Sequence, residues 1–305
     1  MYTLEDLGRA VRSPRAVARE LNRLCHTRLG TREFNPAGID IFEADWDNLV
    51  ILDACRHDTF AEQSDLPGQL EFRISRGAAT SEFVRANFSG RHEHDTVYLT
   101  ANSWYRRLRD DIDASVHDYI DLHMGDEDGT YHSEEFRVVV PEVVTEQARQ
   151  VSKKYPDKRL IVHYIQPHHP FIGPTGREHF RANSSSLEEI LRDSPEATPE
   201  RVVKAYRENL DIALDAVGDL LPSLPGKTVV TADHGEMLGD RHQFVPIRDF
   251  GHQNGLYNEP LTKVPWHVID NGDRKRIVAD EPGGDDDDVD LEQLEQRLRD
   301  LGYKM

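Results

Sequence analysis

The sequence predicts an α/β fold with a mostly parallel central sheet. Three observations carry that reading. Short apolar runs of strand length recur along the chain. Segments with helical signals lie between them, as strand–helix alternation requires. Two of the runs end on an aspartate, and sheets of this class place their sites at the carboxyl ends of strands. At 305 residues the chain is long enough for one large domain or two small ones.

The elements follow in order. Residues 1–40 read as a helical N-terminal extension, with Ser13 and Pro14 as cap and first-turn pair and Val17, Leu21 and Leu24 on one face. Asn48 to Asp53 is a buried strand that presents Asp53 at its end. Asp95–Thr100, Arg159–Ile165 and Lys227–Asp233 are further strands, and Val264–Ile269 is a fifth candidate. Thr198, Pro199 and Glu200 open a helix whose apolar face runs Val202, Tyr206, Leu210, Ala213, Val217. Segments 107–150 and 175–198 are polar and uneven, and read as peripheral insertions. The main domain is expected over 41–279. Residues 280–305 add an acidic linker and a helix carrying Leu291, Leu294, Leu298 and Leu301.

Composition narrows the function. With 37% hydrophobic and 30% charged residues the chain is globular in type. Its 37 Lys and Arg against 56 Asp and Glu give a net charge of −19. So acidic a chain lacks the positive footprint for non-specific nucleic-acid or anionic-membrane binding, although one metal ion can invert the local field. The acidity also reads as adaptation to high salt, where screening tolerates dense like charge. The two cysteines imply no disulfide framework. No apolar run has membrane-spanning length and the N-terminus lacks a signal peptide's apolar stretch, so a cytoplasmic protein is expected, without stable membrane insertion.

Four segments compete for the strand-end position. Leu52-Asp-Ala-Cys-Arg-His-Asp58 offers Asp53 as a hard-metal ligand or as a capping residue, with Arg56 close behind and Cys55 read as core. Ser75-Arg-Gly-Ala-Ala-Thr80-Ser81 delivers a hydroxyl beside a helix start, either as an N-cap or as an alkoxide nucleophile. His163-Tyr-Ile-Gln-Pro-His168-His169-Pro carries three histidines; His163 reads as a buried strand residue, whereas His168 and His169 lie past the strand end. Thr231-Ala-Asp233-His234-Gly235-Glu-Met-Leu-Gly-Asp240-Arg-His242, with His252 returning after a loop from Asp240 to Gly251, is the strongest. Adjacent Asp and His supply one oxygen and one nitrogen to the same ion, and Gly235 lets the backbone turn away.

Together these segments resemble the sulfatases of the alkaline phosphatase superfamily. The likeness runs from about Asn48 to Ile269 and is most specific at Asp233-His234-Gly235-Glu-Met-Leu-Gly-Asp240; the acidic composition adds a likeness to haloarchaeal members. The resemblance implies an alkaline-phosphatase-like three-layer α/β/α sandwich. It implies Thr80 as nucleophile, Asp53, Thr80, Asp233 and His234 around a metal, and His168 and His252 assisting catalysis. Arg56, Asn102, His169 and His242 are the implied substrate contacts. The cofactor implied is a divalent ion (Mn, Zn, Ca or Mg) at one site, with a second ion possible through Asp240, His242, His168 and His252. The chain departs from classical sulfatases in lacking Cys-x-Pro-x-Arg, the source of formylglycine; Thr80-Ser-Glu-Phe-Val stands there instead. A threonine resembles the phosphatases, phosphodiesterases and phosphotransferases of the superfamily. The expected activity is metal-dependent hydrolysis of small-molecule or glycan phosphate or sulfate esters, through a covalent intermediate. A phosphotransferase or a catalytically silent binding protein are the alternatives. No signal addresses oligomeric state.

Overall fold

A computed structural model describes residues 14–124, 131–133, 135–180, 186–194 and 196–282. Helix α1 spans Pro14–His26. It is followed by β1 (Asn48–Leu52), α2 (His57–Gln63), β2 (Gln69–Ile74), α3 (Thr80–Phe88), β3 (His92–Thr100), α4 (Trp104–Leu108) and β4 (Ser115–Asp121). Then come α5 (Pro141–Lys154), β5 (Arg159–Tyr164), α6 (Pro174–His179), α7 (Leu187–Asp193) and α8 (Pro199–Leu220). The described chain closes with β6 (Gly226–Thr231), β7 (Met237–Arg241), β8 (Arg248–Gly251), α9 (Glu259–Thr262) and β9 (Lys263–Asn271).

Seven strands form one sheet in the order β2-β9-β6-β1-β5-β3-β4. β1 pairs in parallel with both β5 and β6, and β3 with both β5 and β4. β9 alone runs antiparallel, against β6 on one side and β2 on the other. β1 is buried at all five positions, as expected of a strand covered on both faces. Strand register identifies the two faces. Tyr98 of β3 lies opposite Ile161 of β5 and packs against Phe88 and Tyr105, on the α3–α4 side. Tyr164 is three residues beyond Ile161 and so points to the other face, where its hydroxyl meets Thr145 of α5. Helices on both faces make the three-layer α/β/α sandwich that the sequence predicts.

Helix α8 is the main brace of the second face. Thr198 caps it by accepting from Arg201 N, and Pro199 fills the first turn. Val202, Tyr206, Leu210, Ala213 and Val217 are all buried, each large one worth roughly 1.5–3 kcal/mol of transfer free energy.

Four expectations change. Segment 107–150 is not a peripheral insertion: it supplies edge strand β4 and helix α5, whose Val144, Ala148 and Val151 are buried. Part of 175–198 likewise enters the interior, since Leu187 and Ile190 of α7 pack with Phe171 and Tyr206. Helix α1 buries Ala18, Asn22 and His26 and leaves Leu21 48% exposed, because it packs on a polar ribbon and not on an apolar surface. The 240–251 segment is no simple loop; β7 and β8 pair there as a separate two-stranded ribbon. Ser13, the acidic run from Asp285 and the helix from Leu291 lie outside the described residues.

Candidate metal centre

The sheet brings the two aspartates together. β1 and β6 are parallel neighbours in register, so Asp53 and Asp233 leave adjacent strand ends. Both are fully buried, as is His234. Oxygens of Asp53 and Asp233 and a ring nitrogen of His234 lie within 4.8 Å of one another. Asn102, from the turn after β3, donates to Asp53 Oδ2 at 2.8 Å and fixes that carboxylate's rotation. Asp233 Oδ1 accepts from Ala54 N and from His234 N. Ala54 sits at φ +60, a costly conformation for a residue with a Cβ. It is held there by that bond and by Tyr206 of α8, whose hydroxyl donates to Ala54 O at 2.8 Å.

Thr80 is the first residue of α3, and Ala79 occupies the cap position, so neither Thr80 nor Ser81 is an N-cap. The Thr80 side chain is buried, with Oγ1 3.5 Å from Asp53 Oδ2 and 3.4 Å from His234 Nε2. Gly77 makes this approach possible. A Cβ there would lie 2.4 Å from Phe83 N, a clash with the backbone of the same helix. Glu82 closes the turn from inside by accepting from Ala78 N at 2.7 Å and from the Tyr257 hydroxyl.

The donor set fits a divalent cation. His234 Nδ1 donates to Gly235 O at 2.7 Å, which puts the ring's lone pair on Nε2. That lone pair faces Asp233 Oδ2 at 3.4 Å and Asp53 Oδ1 at 3.6 Å. Burial lowers the His234 pKa, favouring the neutral ring. Asp233 stays below the usual carboxylate range in spite of its burial, through its attraction to His234 and His163. Two carboxylates and an imidazole lone pair therefore converge in a dry site, an arrangement a shared cation relieves. Among the described residues, Asp233 Oδ2 receives no hydrogen bond within bonding distance.

A second cluster adjoins the first. Ligand atoms of His168, Glu236 and His252 also lie within 4.8 Å of one another. The His252 ring centroid is 4.3 Å from that of His234 and 5.2 Å from that of His168. His168 Nδ1 donates to His169 O, which again places the lone pair on Nε2. Burial pushes His168 down to about 3 and His252 to about 4, and pushes Glu236 up to about 7. His252 Nδ1 lies 3.2 Å from both Glu236 oxygens. Asn209 of α8 holds the histidine loop, donating toward His168 O and Pro170 O and accepting from Ile172 N.

The second cluster opens on a cavity of about 360 Å³. His169, Glu236 and His252 contribute to its lining, with Trp104, Leu187 and Phe250 as apolar wall. Ser81 and Asn254, hydrogen-bonded to each other, lie at the same opening.

The remaining sequence candidates are placed as follows. His169 lines the cavity with its ring stacked on His168. Arg56 is a strut, bonded to Asp58, Asp240 and Glu236 O. His242 lies between Asp249 and Asn258, away from both clusters, and Asp240 is paired with Arg56. Cys55 is a fully buried core residue whose thiol burial pushes up, the opposite of what a nucleophile requires. His163 lies behind the first cluster, bonded to the Tyr98 hydroxyl and 3.9 Å from Asp233. Sequence reasoning did not assign Glu236, Tyr206 or Asn209 a role at the site. The one available signal was a polar Asn209 inside the apolar stripe of α8.

No family model and no curated protein matches the chain. Solved structures do. The integral membrane protein lipooligosaccharide phosphoethanolamine transferase A of Neisseria meningitidis matches at 13% identity and TM-score 0.48, over 73% of this chain and 47% of that one. This chain thus spans about half the length of that protein. The C-terminal periplasmic domain of EcEptC from Escherichia coli, in complex with Zn, matches at 12% identity and TM-score 0.48, over 77% and 76% of the two chains. Phosphonate monoester hydrolase of Agrobacterium radiobacter matches at 13% identity and TM-score 0.46, over 75% and 70%.

Proposed function

We propose that the chain is a divalent-metal-dependent hydrolase of phosphate or sulfate esters, of alkaline phosphatase superfamily type, with Thr80 as its nucleophile. One observation carries the reading. A buried hydroxyl at the start of a helix faces two carboxylates and an imidazole lone pair, next in sequence to Ala79 and Ser81, which line a cavity. An ion held by Asp53, Asp233 and His234, with a second at His168, Glu236 and His252, would lower the pKa of the Thr80 hydroxyl and offset charge on the transferred group's oxygens.

The chain's own groups do the rest. Thr80 Oγ1 forms the bond to phosphorus as the bond to the leaving oxygen breaks in line, the hydroxyl proton ending on the departing alcohol. Asn102 keeps Asp53 turned toward the threonine. The N–H groups of the first turn of α3 favour negative charge close to Thr80. Water then attacks the phosphothreonine ester from the opposite side. It releases the acid and restores the hydroxyl, with net retention.

Phosphorus is favoured over sulfur by the nucleophile. Formylglycine hydrate expels sulfate by collapsing to its aldehyde. A threonine sulfate has no such exit and needs direct attack by water. The test is a matched pair of aryl phosphate and aryl sulfate at molar salt, with Mn²⁺, Zn²⁺, Mg²⁺ or Ca²⁺ added separately. A higher kcat/KM on the phosphate is expected. A higher value on the sulfate overturns the preference, and no turnover of either with metal bound overturns hydrolysis of simple esters.

A further inference from the structure

We propose that Arg19 of helix α1 is a positioning residue for the His168–Glu236–His252 cluster, acting through the β7–β8 ribbon. This rests on the reading of that cluster as an ion site. Glu236 immediately precedes β7 and His252 immediately follows β8, so the open end of the ribbon delivers two of the three ligands. Met237 and Gly251 are paired across that end. The ribbon lies outside the main sheet, so the sheet's hydrogen bonds do not set its position.

Helix α1 grips the ribbon along its length. Asn22 accepts from Phe244 N and Val245 N and donates to Val245 O, each at 3.0 Å, and so clamps the turn. Arg19 Nε donates to Asp249 Oδ2 at 2.7 Å, and Nη2 reaches Oδ1 of the same carboxylate. Arg19 also binds Glu188 of α7, which lines the same cavity. One guanidinium therefore ties β8 of the ribbon to α7. The clasp is well shielded: the Arg19 side chain is 13% exposed and that of Asp249 4%. Asp249 in turn accepts from His242 Nε2 at 2.8 Å, and Asn258 bonds His242, so the network continues to the far side of the ribbon. A bidentate, shielded Arg–carboxylate pair is the ion-pair geometry that fixes position. Two ligands on a mobile ribbon would hold an ion less tightly, because residues supporting a ligand typically change metal affinity by 10–100-fold.

The test is titration of the full chain with Zn²⁺, and with Co²⁺ for its visible spectrum, comparing wild type, Arg19→Ala, Arg19→Lys and the surface control Arg149→Ala. Wild type and Arg149→Ala are expected to bind two ions. Arg19→Ala should bind the second at least tenfold more weakly while the first keeps its affinity. Arg19→Lys, which retains the charge, should recover part of the loss. Should Arg19→Ala not fold, the Lys variant carries the same comparison. Equal affinity for both ions in Arg19→Ala and wild type overturns the positioning role. So does equal weakening of both ions, which marks a general loss of stability. A wild-type chain that binds one ion refutes the second cluster itself.

Discussion

Replacing Glu236 by Gln should stabilise the metal-free protein above neutral pH. The carboxyl is buried with its pKa raised from an ordinary 4.5 to about 7. The folded state therefore holds this proton more tightly than the unfolded chain, and between pH 4.5 and 7 stability falls as pH rises. The cost is absent below the unfolded value and complete above the folded one. A shift of that size corresponds to about 3 kcal/mol. Glutamine keeps the shape and can still accept from His252 Nδ1, now 3.2 Å from the carboxylate, but it never ionises. In chelator at pH 8 the variant should melt roughly 5–10 °C above wild type. At pH 4.5 the two should coincide. Zn²⁺ at 1,000 times its Kd should reverse the order, since it adds about 4.1 kcal/mol to the protein that binds it, more than the cost of the buried carboxylate. The assay is thermal unfolding of both proteins across pH, with chelator and with Zn²⁺. No gain for the variant at pH 8, or an equal gain at both pH values, would show that Glu236 is not held as a destabilised carboxylate.

Thr80→Ala should abolish turnover of an aryl phosphate while far-ultraviolet circular dichroism and metal-free melting stay near wild type; if Ser81→Ala alone removes activity, Ser81 is the nucleophile. Gly235→Ala should cost roughly 1–3 kcal/mol in denaturant unfolding, because its Cβ would lie 2.1 Å from Pro260 O and the backbone must move. The net charge of −19 opposes compaction, so the melting temperature should climb from low to molar KCl; a flat response removes the high-salt reading.

The fold was legible where burial was two-sided. β1 is a nearly continuous apolar run, and β5 and β6 carry apolar cores, because neighbouring strands and helices cover them. The edges were not legible. β4, Ser-Val-His-Asp-Tyr-Ile-Asp, mixes polar and apolar residues because one of its sides has no strand neighbour. β2, Gln-Leu-Glu-Phe-Arg-Ile, alternates polar and apolar residues but is exposed over its first four positions. Helix α1 misled for a different reason. Its Val17-Leu21-Leu24 stripe has the period of a core helix, yet the helix docks through Arg19 and Asn22 onto backbone and carboxylate.

The same contrast explains the site. Asp53, Asp233 and His234 stand at the ends of apolar strands, so strand periodicity locates them, and parallel pairing of β1 with β6 brings them together. Thr80 is reachable by resemblance alone, since its role depends on a helix start packed against Gly77, a contact no spacing encodes. Glu236 lies two residues past His234, outside the strand, and looks like part of a turn. Its partner His252 follows 16 residues later. Only the antiparallel pairing of Met237 with Gly251 makes them neighbours, and that pairing is weakly written in a ribbon rich in charge. A ligand pair presented by such a ribbon requires an external brace. In this chain the N-terminal helix, which sequence alone treats as an extension, braces the ribbon alongside the Arg56 strut to Asp240 and Glu236 O. Its arginines serve the acidic body by neutralising Asp249 and Glu188 where a carboxylate and two histidines must be held in register.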